Sequence, residues 1–116
     1  MSALRQIDED VYVAPQLSPE TMAQAAQAGF KAVVNNRPDF EHGPDQPSSA
    51  AIEAAAKAVG LEYEHLPVNP ASIGPAEVQA MAQLLQTLPR PLLLFCRSGS
   101  RSANLYGAAK ALQEGV

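Results

Sequence analysis

Short apolar runs alternate with polar, helix-forming stretches along the chain. Three runs are largely apolar, as in strands covered on both faces: 11–13, 31–35 and 92–95. A fourth run, 61–68, alternates apolar and polar residues, which is the pattern of a strand with one covered face. The chain therefore contains four predicted strands.

Each predicted strand is followed by a helix signal. Helices are expected over residues 18–29, 50–59, 75–88 and 100–113. Ser18 suits the N-cap of the first helix, with Pro19 in its first turn, and Ser49 suits the N-cap of the second. The order β-α-β-α-β-α-β-loop-α predicts one domain over residues 1–116. Its expected fold is an α/β sandwich with a mostly parallel central sheet flanked by helices.

Composition excludes several classes of protein. The net charge of −4 provides no basic face for nucleic acid, and no apolar stretch is long enough to span a membrane. Residues 1–10 carry acids and lack the apolar segment of a signal peptide. One cysteine excludes an internal disulfide, and the two histidines, His42 and His65, are far apart in sequence. We therefore expect a cytoplasmic protein with no metal and no other cofactor.

The strongest chemical signal is the segment CRSGSRS, residues 96–102, between the last strand and the last helix. Backbone N–H groups of a glycine-containing turn converge at a helix N-terminus and form a cradle for an oxyanion. The same field, with two arginines nearby, lowers the pKa of a thiol from its usual value near 8.5. Cys96 is thus a predicted nucleophile, although a cysteine at the end of a strand is also compatible with a small core residue.

The other residues of this loop have distinct expected roles. Arg101 is expected to bind the anion through two nitrogens, and Gly99 lets the backbone approach it closely. Ser102 could donate a hydrogen bond to the sulfur when the sulfur is a leaving group. Three further loop residues are expected to bind the anion: Arg97, Ser98 and Ser100. For Arg97, a plain surface charge is an equal alternative.

Several segments together resemble one bacterial family. They are the CRSGSRS loop, GFKAVVNNRP at 29–38, Gln46-Pro47, GLEY at 60–63 and LPV at 66–68. The combination resembles the phosphatase-like domain of beta-lactamase hydrolase-like proteins, from about Ile7 to Leu112. This resemblance implies a dual-specificity-phosphatase-like fold with Cys96 as nucleophile. Because members also occur fused to sulfur-metabolism domains, it leaves a role in sulfur handling open.

The loop alone also resembles the active loop of rhodaneses. Four residues separate Cys96 from Arg101, which is the rhodanese spacing, whereas phosphatases of this class have five. Topology favours the phosphatase arrangement, because only one helix follows Cys96, whereas rhodaneses continue with further strands and helices. Phe95 stands where such phosphatases have a histidine.

The general acid is not evident from the sequence. Asn69 stands where the resemblance places an aspartate, and an amide is not an acid. Substitutes near that strand are Glu64 and His65. The loop 36–49, which could fold over the site, offers further candidates: Asp39, Glu41, His42 and Asp45. Arg37, on the same loop, is either a further anion contact or a surface residue before Pro38.

Four functions remain open at this stage. The leading hypothesis is a cysteine-dependent phosphatase acting on a small-molecule or phosphoprotein oxyanion. The second is a sulfurtransferase that forms a persulfide on Cys96, which needs no general acid. The third is a non-catalytic oxyanion- or phosphopeptide-binding module. Arsenate reduction is a fourth, and its resolving thiols would have to come from another molecule. The sequence does not indicate the oligomeric state.

Overall fold

A computed structural model describes residues 3–115, in which five strands form one sheet between two layers of helices. The strands are β1 Arg5–Asp8, β2 Val11–Ala14, β3 Ala32–Asn35, β4 Glu62–His65 and β5 Leu92–Phe95. The helices are α1 Thr21–Gln27, α2 Ser49–Ala58, α3 Pro75–Thr87 and α4 Ser100–Gln113. The strand order is β1-β2-β5-β3-β4, and every pairing is parallel except that of β1 with β2. The predicted α/β fold with a mostly parallel sheet is confirmed.

The centre of the sheet is β5, the most apolar run of the chain. Its four residues are buried, and β5 pairs with β2 on one side and β3 on the other. Alternate side chains point to opposite faces of a strand. Leu92 and Leu94 accordingly pack against α3 and α4, whereas Leu93 and Phe95 pack against α1 and α2. A strand covered on both faces needs an apolar residue at every position. This continuous apolar run is why β5 could be predicted from the sequence.

Each helical layer packs on the sheet through its own apolar core. Met81, Leu85 and Leu105 belong to the core under α3 and α4, while Met22 and Ile52 belong to the core under α1 and α2. The longest helix, α4, has 14 residues. Within residues 3–115, no helix is both long enough and apolar enough to cross a membrane.

Two predicted helix starts are wrong by one turn or less. The first helix begins at Thr21, because the Thr21 hydroxyl donates to the Ser18 carbonyl (2.7 Å) and accepts from the Ser18 N–H (3.1 Å), which closes a turn ahead of it. The second helix is capped by Ser48, whose hydroxyl accepts from the Ala51 N–H at 3.1 Å. Ser49 instead lies inside α2 and is buried.

Two strand predictions also need correction. The edge strand β1 was not predicted, because three of its four residues are polar and none of them is buried. The strand predicted over 61–68 is shorter: β4 ends at His65, and the chain then turns toward Asn36, whose carbonyl accepts from the Val68 N–H at 3.0 Å.

The parallel register places three strand ends at one edge of the sheet. Phe95, the last residue of β5, lies opposite Ala14 of β2 and Asn35 of β3. The residues that follow these ends therefore meet in space, although they are far apart in the sequence. They are Gln16, Cys96, Asn36 and Arg37. Ligands of open α/β sheets bind beyond such an edge.

A buried polar contact between β4 and α2 gives a test of the fold. The Tyr63 hydroxyl accepts from Asn35 Nδ2 (3.0 Å) and bonds with the Ser49 hydroxyl (2.7 Å). We expect Tyr63→Phe to lower the free energy of unfolding by about 1–2 kcal/mol, because it leaves both partners unpaired. Urea denaturation measures this. Tyr12→Phe is the matched control, since Tyr12 is half-buried and its hydroxyl has no partner among the described residues. Equal effects of the two substitutions would contradict the prediction.

Candidate functional site

The loop after β5 folds back on its own cysteine. Cys96 is 1% exposed, and its Sγ accepts from the Gly99 N–H at 3.1 Å. Gly99 has a φ of +93°, and a Cβ there would lie 3.4 Å from the Ala14 carbonyl oxygen. The Arg97 carbonyl accepts from the Gln16 N–H at 3.2 Å, which joins the loop to the segment after β2. The loop is therefore a tight turn whose form depends on glycine.

Hydrogen-bond donors surround the Cys96 thiol. Burial raises its pKa, but the N–H and hydroxyl of Ser102 and the N–H groups of Ser98 and Gly99 lower it by more. The net effect places the pKa of the Cys96 thiol below its ordinary value. Donors that converge on a buried sulfur favour its thiolate form.

Arg101 lies in the first turn of α4, and its side chain is 10% exposed. Its Nη1 donates to Glu41 Oε2 (3.0 Å) and to the Val68 carbonyl (3.2 Å), and its Nη2 donates to Glu41 Oε1 (3.2 Å). The Nε–H is buried and has no partner within the described part of the chain. A guanidinium has five donor hydrogens. The edge formed by Nε and the remaining Nη2 hydrogen is therefore unpaired.

Arg37 is held beside the same carboxylate. Its Nε donates to Glu41 Oε1 (2.8 Å), and its Nη1 donates to Gln16 Oε1 (3.0 Å). Its backbone N–H donates to Asn35 Oδ1 at 2.9 Å. Arg37 is only 5% exposed, so the alternative that it is a surface residue is wrong.

Glu41 bridges the two arginines. Burial raises the pKa of its carboxyl, but hydrogen bonds from Arg37 and Arg101 lower it by more, so the group is held ionised. The loop 36–49 thus does fold over the site, as expected, and it does so through Glu41. One carboxylate balances one of two nearly buried positive charges, which leaves an excess of positive charge.

The remaining predicted site residues lie at the rim or face away. Arg97, Ser98 and Ser100 are exposed at the mouth of the loop. His65 is half-buried, with Nε2 at 2.8 Å from the Arg37 carbonyl oxygen. Asn69 is exposed, and its Oδ1 accepts from the Ala71 N–H at 2.8 Å, so it stabilises its own loop.

Two residues of the site were not predicted from the sequence. Asn36 is fully buried beside Ser102, whose hydroxyl donates to Asn36 Oδ1 at 2.8 Å. Gln16 orients Arg37 and contacts the cysteine loop. The sequence signal that could have identified Asn36 and Gln16 is their position just after the ends of β3 and β2. Within residues 3–115, no three His, Cys, Asp or Glu side chains lie together as metal ligands would.

Comparison with known proteins agrees with this geometry. Residues 3–113 match the phosphatase-like domain of beta-lactamase hydrolase-like proteins. The chain belongs to this family. Curated relatives of that name from Xylella fastidiosa and Agrobacterium fabrum are both 33% identical to it, over 91% and 97% of this chain. The chain spans about a quarter of the length of these relatives, 24% and 26%.

Solved structures of phosphatases share the fold of this family member. A candidate phosphatase from Neisseria meningitidis is 34% identical, with a TM-score of 0.85 over 97% of this chain and 79% of its own. The catalytic core of a PP-IP phosphatase from Saccharomyces cerevisiae is 16% identical, with a TM-score of 0.70 over 96% of this chain and 66% of its own. The second likeness concerns the fold alone.

The Glu41 bridge predicts a pH-dependent contribution to stability. Because the pKa of Glu41 is lowered in the folded state, its contribution is present above the ordinary value of 4.5 and is lost as pH falls through the lowered pKa. We expect Glu41→Gln to destabilise the domain by about 1–3 kcal/mol at pH 7, with a difference from the parent that shrinks below about pH 4.5.

Urea denaturation between pH 7 and pH 3 measures this difference. Glu62→Gln is the control, because Glu62 is exposed on β4 and has no ion pair among the described residues. A Glu41→Gln deficit that stays constant across this range, or one no larger than that of the control, would disprove the bridge.

Proposed function

We propose that this domain is a cysteine-dependent phosphatase that hydrolyses phosphate esters through a thiophosphoryl-cysteine intermediate. The observation that carries the proposal is the unpaired Nε edge of Arg101, which is buried in the first turn of α4, at the end of the Cys96 loop. Two parallel donors on one guanidinium edge match two oxygens of a phosphoryl group. Membership in a phosphatase-like family supports the same chemistry.

The proposed reaction has two displacements at phosphorus. The Cys96 thiolate attacks in line, so an S–P bond forms as the bond to the leaving oxygen breaks. Arg101 stabilises the equatorial oxygens, Arg37 and Arg97 add positive charge, and the N–H groups of Ser98 and Gly99 stay on the sulfur. Water then displaces the sulfur and releases inorganic phosphate. Ser102 stabilises the departing thiolate.

The role of Cys96 is tested by aryl phosphate hydrolysis. We expect slow turnover of p-nitrophenyl phosphate by the parent domain and no turnover above background by Cys96→Ser, because an alcohol at this position lacks the activated thiolate. Release of p-nitrophenolate measures it, and Thr87→Ala, at the C-terminal end of α3 and away from the site, is the control. Turnover that is unaffected by Cys96→Ser would contradict the proposal.

The leaving group must depart with little help from an acid. Glu41, the carboxylate between the arginines, is ionised, and Asn69 stands where an aspartate was expected. Asp39 Oδ1 accepts from the Ser49 N–H at 2.8 Å. Among the candidates named from the sequence, His65 contacts the Arg37 carbonyl, and we take it as the side chain through which a proton could be supplied.

A series of leaving groups tests this inference. We expect kcat/KM to fall by about 10²-fold or more from p-nitrophenyl to phenyl phosphate, which is the size of a general acid's usual contribution. Assays of both esters, with His65→Gln alongside the parent, measure this ratio. Similar rates for the two esters would show that an acid is present, and loss of the phenyl phosphate rate in His65→Gln would identify it.

A sulfurtransferase is the second candidate, favoured by the four-residue spacing between Cys96 and Arg101. Sulfane sulfur from thiosulfate would move to Cys96 with release of sulfite, and then to an acceptor thiol. Intact mass after thiosulfate treatment would show one added sulfur on the parent and none on Cys96→Ser. A binding module would instead hold phosphate without turnover in either assay.

A lone reactive thiol suits a reducing compartment, and on that ground we propose that the protein is located in the cytoplasm.

A further inference from the structure

Asn36 is fixed at four points beside the cysteine loop. It is fully buried just beyond β3. Its backbone N–H donates to the Phe95 carbonyl at 2.8 Å, and its carbonyl accepts from the Val68 N–H at 3.0 Å. Its side-chain Nδ2 donates to the Leu66 carbonyl at 3.0 Å, and its Oδ1 accepts from the Ser102 hydroxyl at 2.8 Å. Neither the backbone nor the amide is free to move.

The orientation of the Asn36 amide follows from these partners. A carbonyl only accepts hydrogen bonds, so the NH₂ group must face Leu66 and the oxygen must face Ser102. Ser102 is fully buried in the first turn of α4, directly after the Cys96 loop, and its hydroxyl is one of the groups that lower the pKa of the Cys96 thiol. A hydroxyl has one proton. The Asn36 oxygen and the Cys96 sulfur therefore compete for it.

We propose that Asn36 is a positioning residue that acts through Ser102. While the Cys96 sulfur is protonated or covalently bonded, Asn36 accepts the hydrogen bond of the Ser102 hydroxyl. When the sulfur becomes a thiolate, the hydroxyl donates to the sulfur instead. A neutral thiol and the phosphorus-bonded sulfur of the intermediate are weak acceptors, so the Ser102 hydroxyl then donates to the amide oxygen. A thiolate is charged and a far stronger acceptor, so the hydroxyl turns toward it. The exchange is a rotation of one O–H bond, and no proton leaves the serine oxygen.

This exchange has a measurable consequence for the thiol. Forming the thiolate breaks the bond from Ser102 to Asn36, so Asn36 opposes ionisation and Ser102 favours it. Among the described residues, the charged groups of the site are Arg97 in the loop, Arg101 on α4, and Arg37 and Glu41 from the loop after β3. These charged groups are unchanged in variants of Asn36 and Ser102. Their contribution to the thiol pKa therefore cancels when the variants are compared with the parent.

A double-mutant cycle tests the proposal. The pKa of Cys96 is read from thiolate ultraviolet absorbance, with Cys96→Ser as baseline because Cys96 is the chain's one cysteine. Asn36→Leu removes the acceptor with little change of shape. We expect it to lower the thiol pKa by about 0.5–1 unit and Ser102→Ala to raise it by a similar amount. In the Ser102→Ala background, Asn36→Leu should have no effect.

Two results would overturn the proposal. One is an unchanged or raised thiol pKa in Asn36→Leu; the other is the same shift with and without Ser102. Asn36→Ala replaces Asn36→Leu if the larger side chain prevents folding, and Ile52→Val, in the core on the α2 side, controls for a general loss of stability. The proposal rests on the proposed function only in taking Cys96 as the reacting sulfur. Because the titration needs no turnover, a failed hydrolysis assay and a failed cycle are distinguishable.

Discussion

The carboxylate of Glu41 is the contact on which the site depends. Two guanidinium groups, Arg37 and Arg101, are nearly buried at one edge of the sheet, where two like charges would repel each other strongly. Glu41 accepts from both, which offsets one charge and fixes both side chains in place. In the proposed function, the remaining positive charge and the unpaired Nε edge of Arg101 bind the oxyanion. A loop residue thus determines the orientation of a helix residue sixty positions away.

The same edge of the sheet also determines which donors surround the Cys96 sulfur. Burial alone would raise the pKa of the Cys96 thiol, and the convergent donors of the tight loop lower it by more. The loop has this form because Gly99 adopts a positive φ and because Ala14, at the end of β2, lies against it. Asn36 completes the arrangement by limiting how Ser102 can donate. The proposed nucleophile and the proposed anion site therefore both depend on one strand register.

The sequence predicted the parts of this structure that depend on local pattern. A continuously apolar β5 and the glycine-containing loop after it were recognisable because both signals lie within a few residues. The polar β1 was missed because edge pairing leaves no apolar pattern. Glu41 was only one of several loop carboxylates, and Asn36 was only one residue of the family resemblance. Their partners lie 60 and 66 residues away, and no local pattern specifies such contacts.

Binding of inorganic phosphate is the most direct test of the central claim, that Cys96 and Arg101 form an oxyanion site. Calorimetric titration should show one saturable site, weakened about tenfold or more in Arg101→Lys, because lysine carries charge but no planar pair of donors. Absence of saturable binding to the parent domain, or equal binding to Arg101→Lys, would contradict the account.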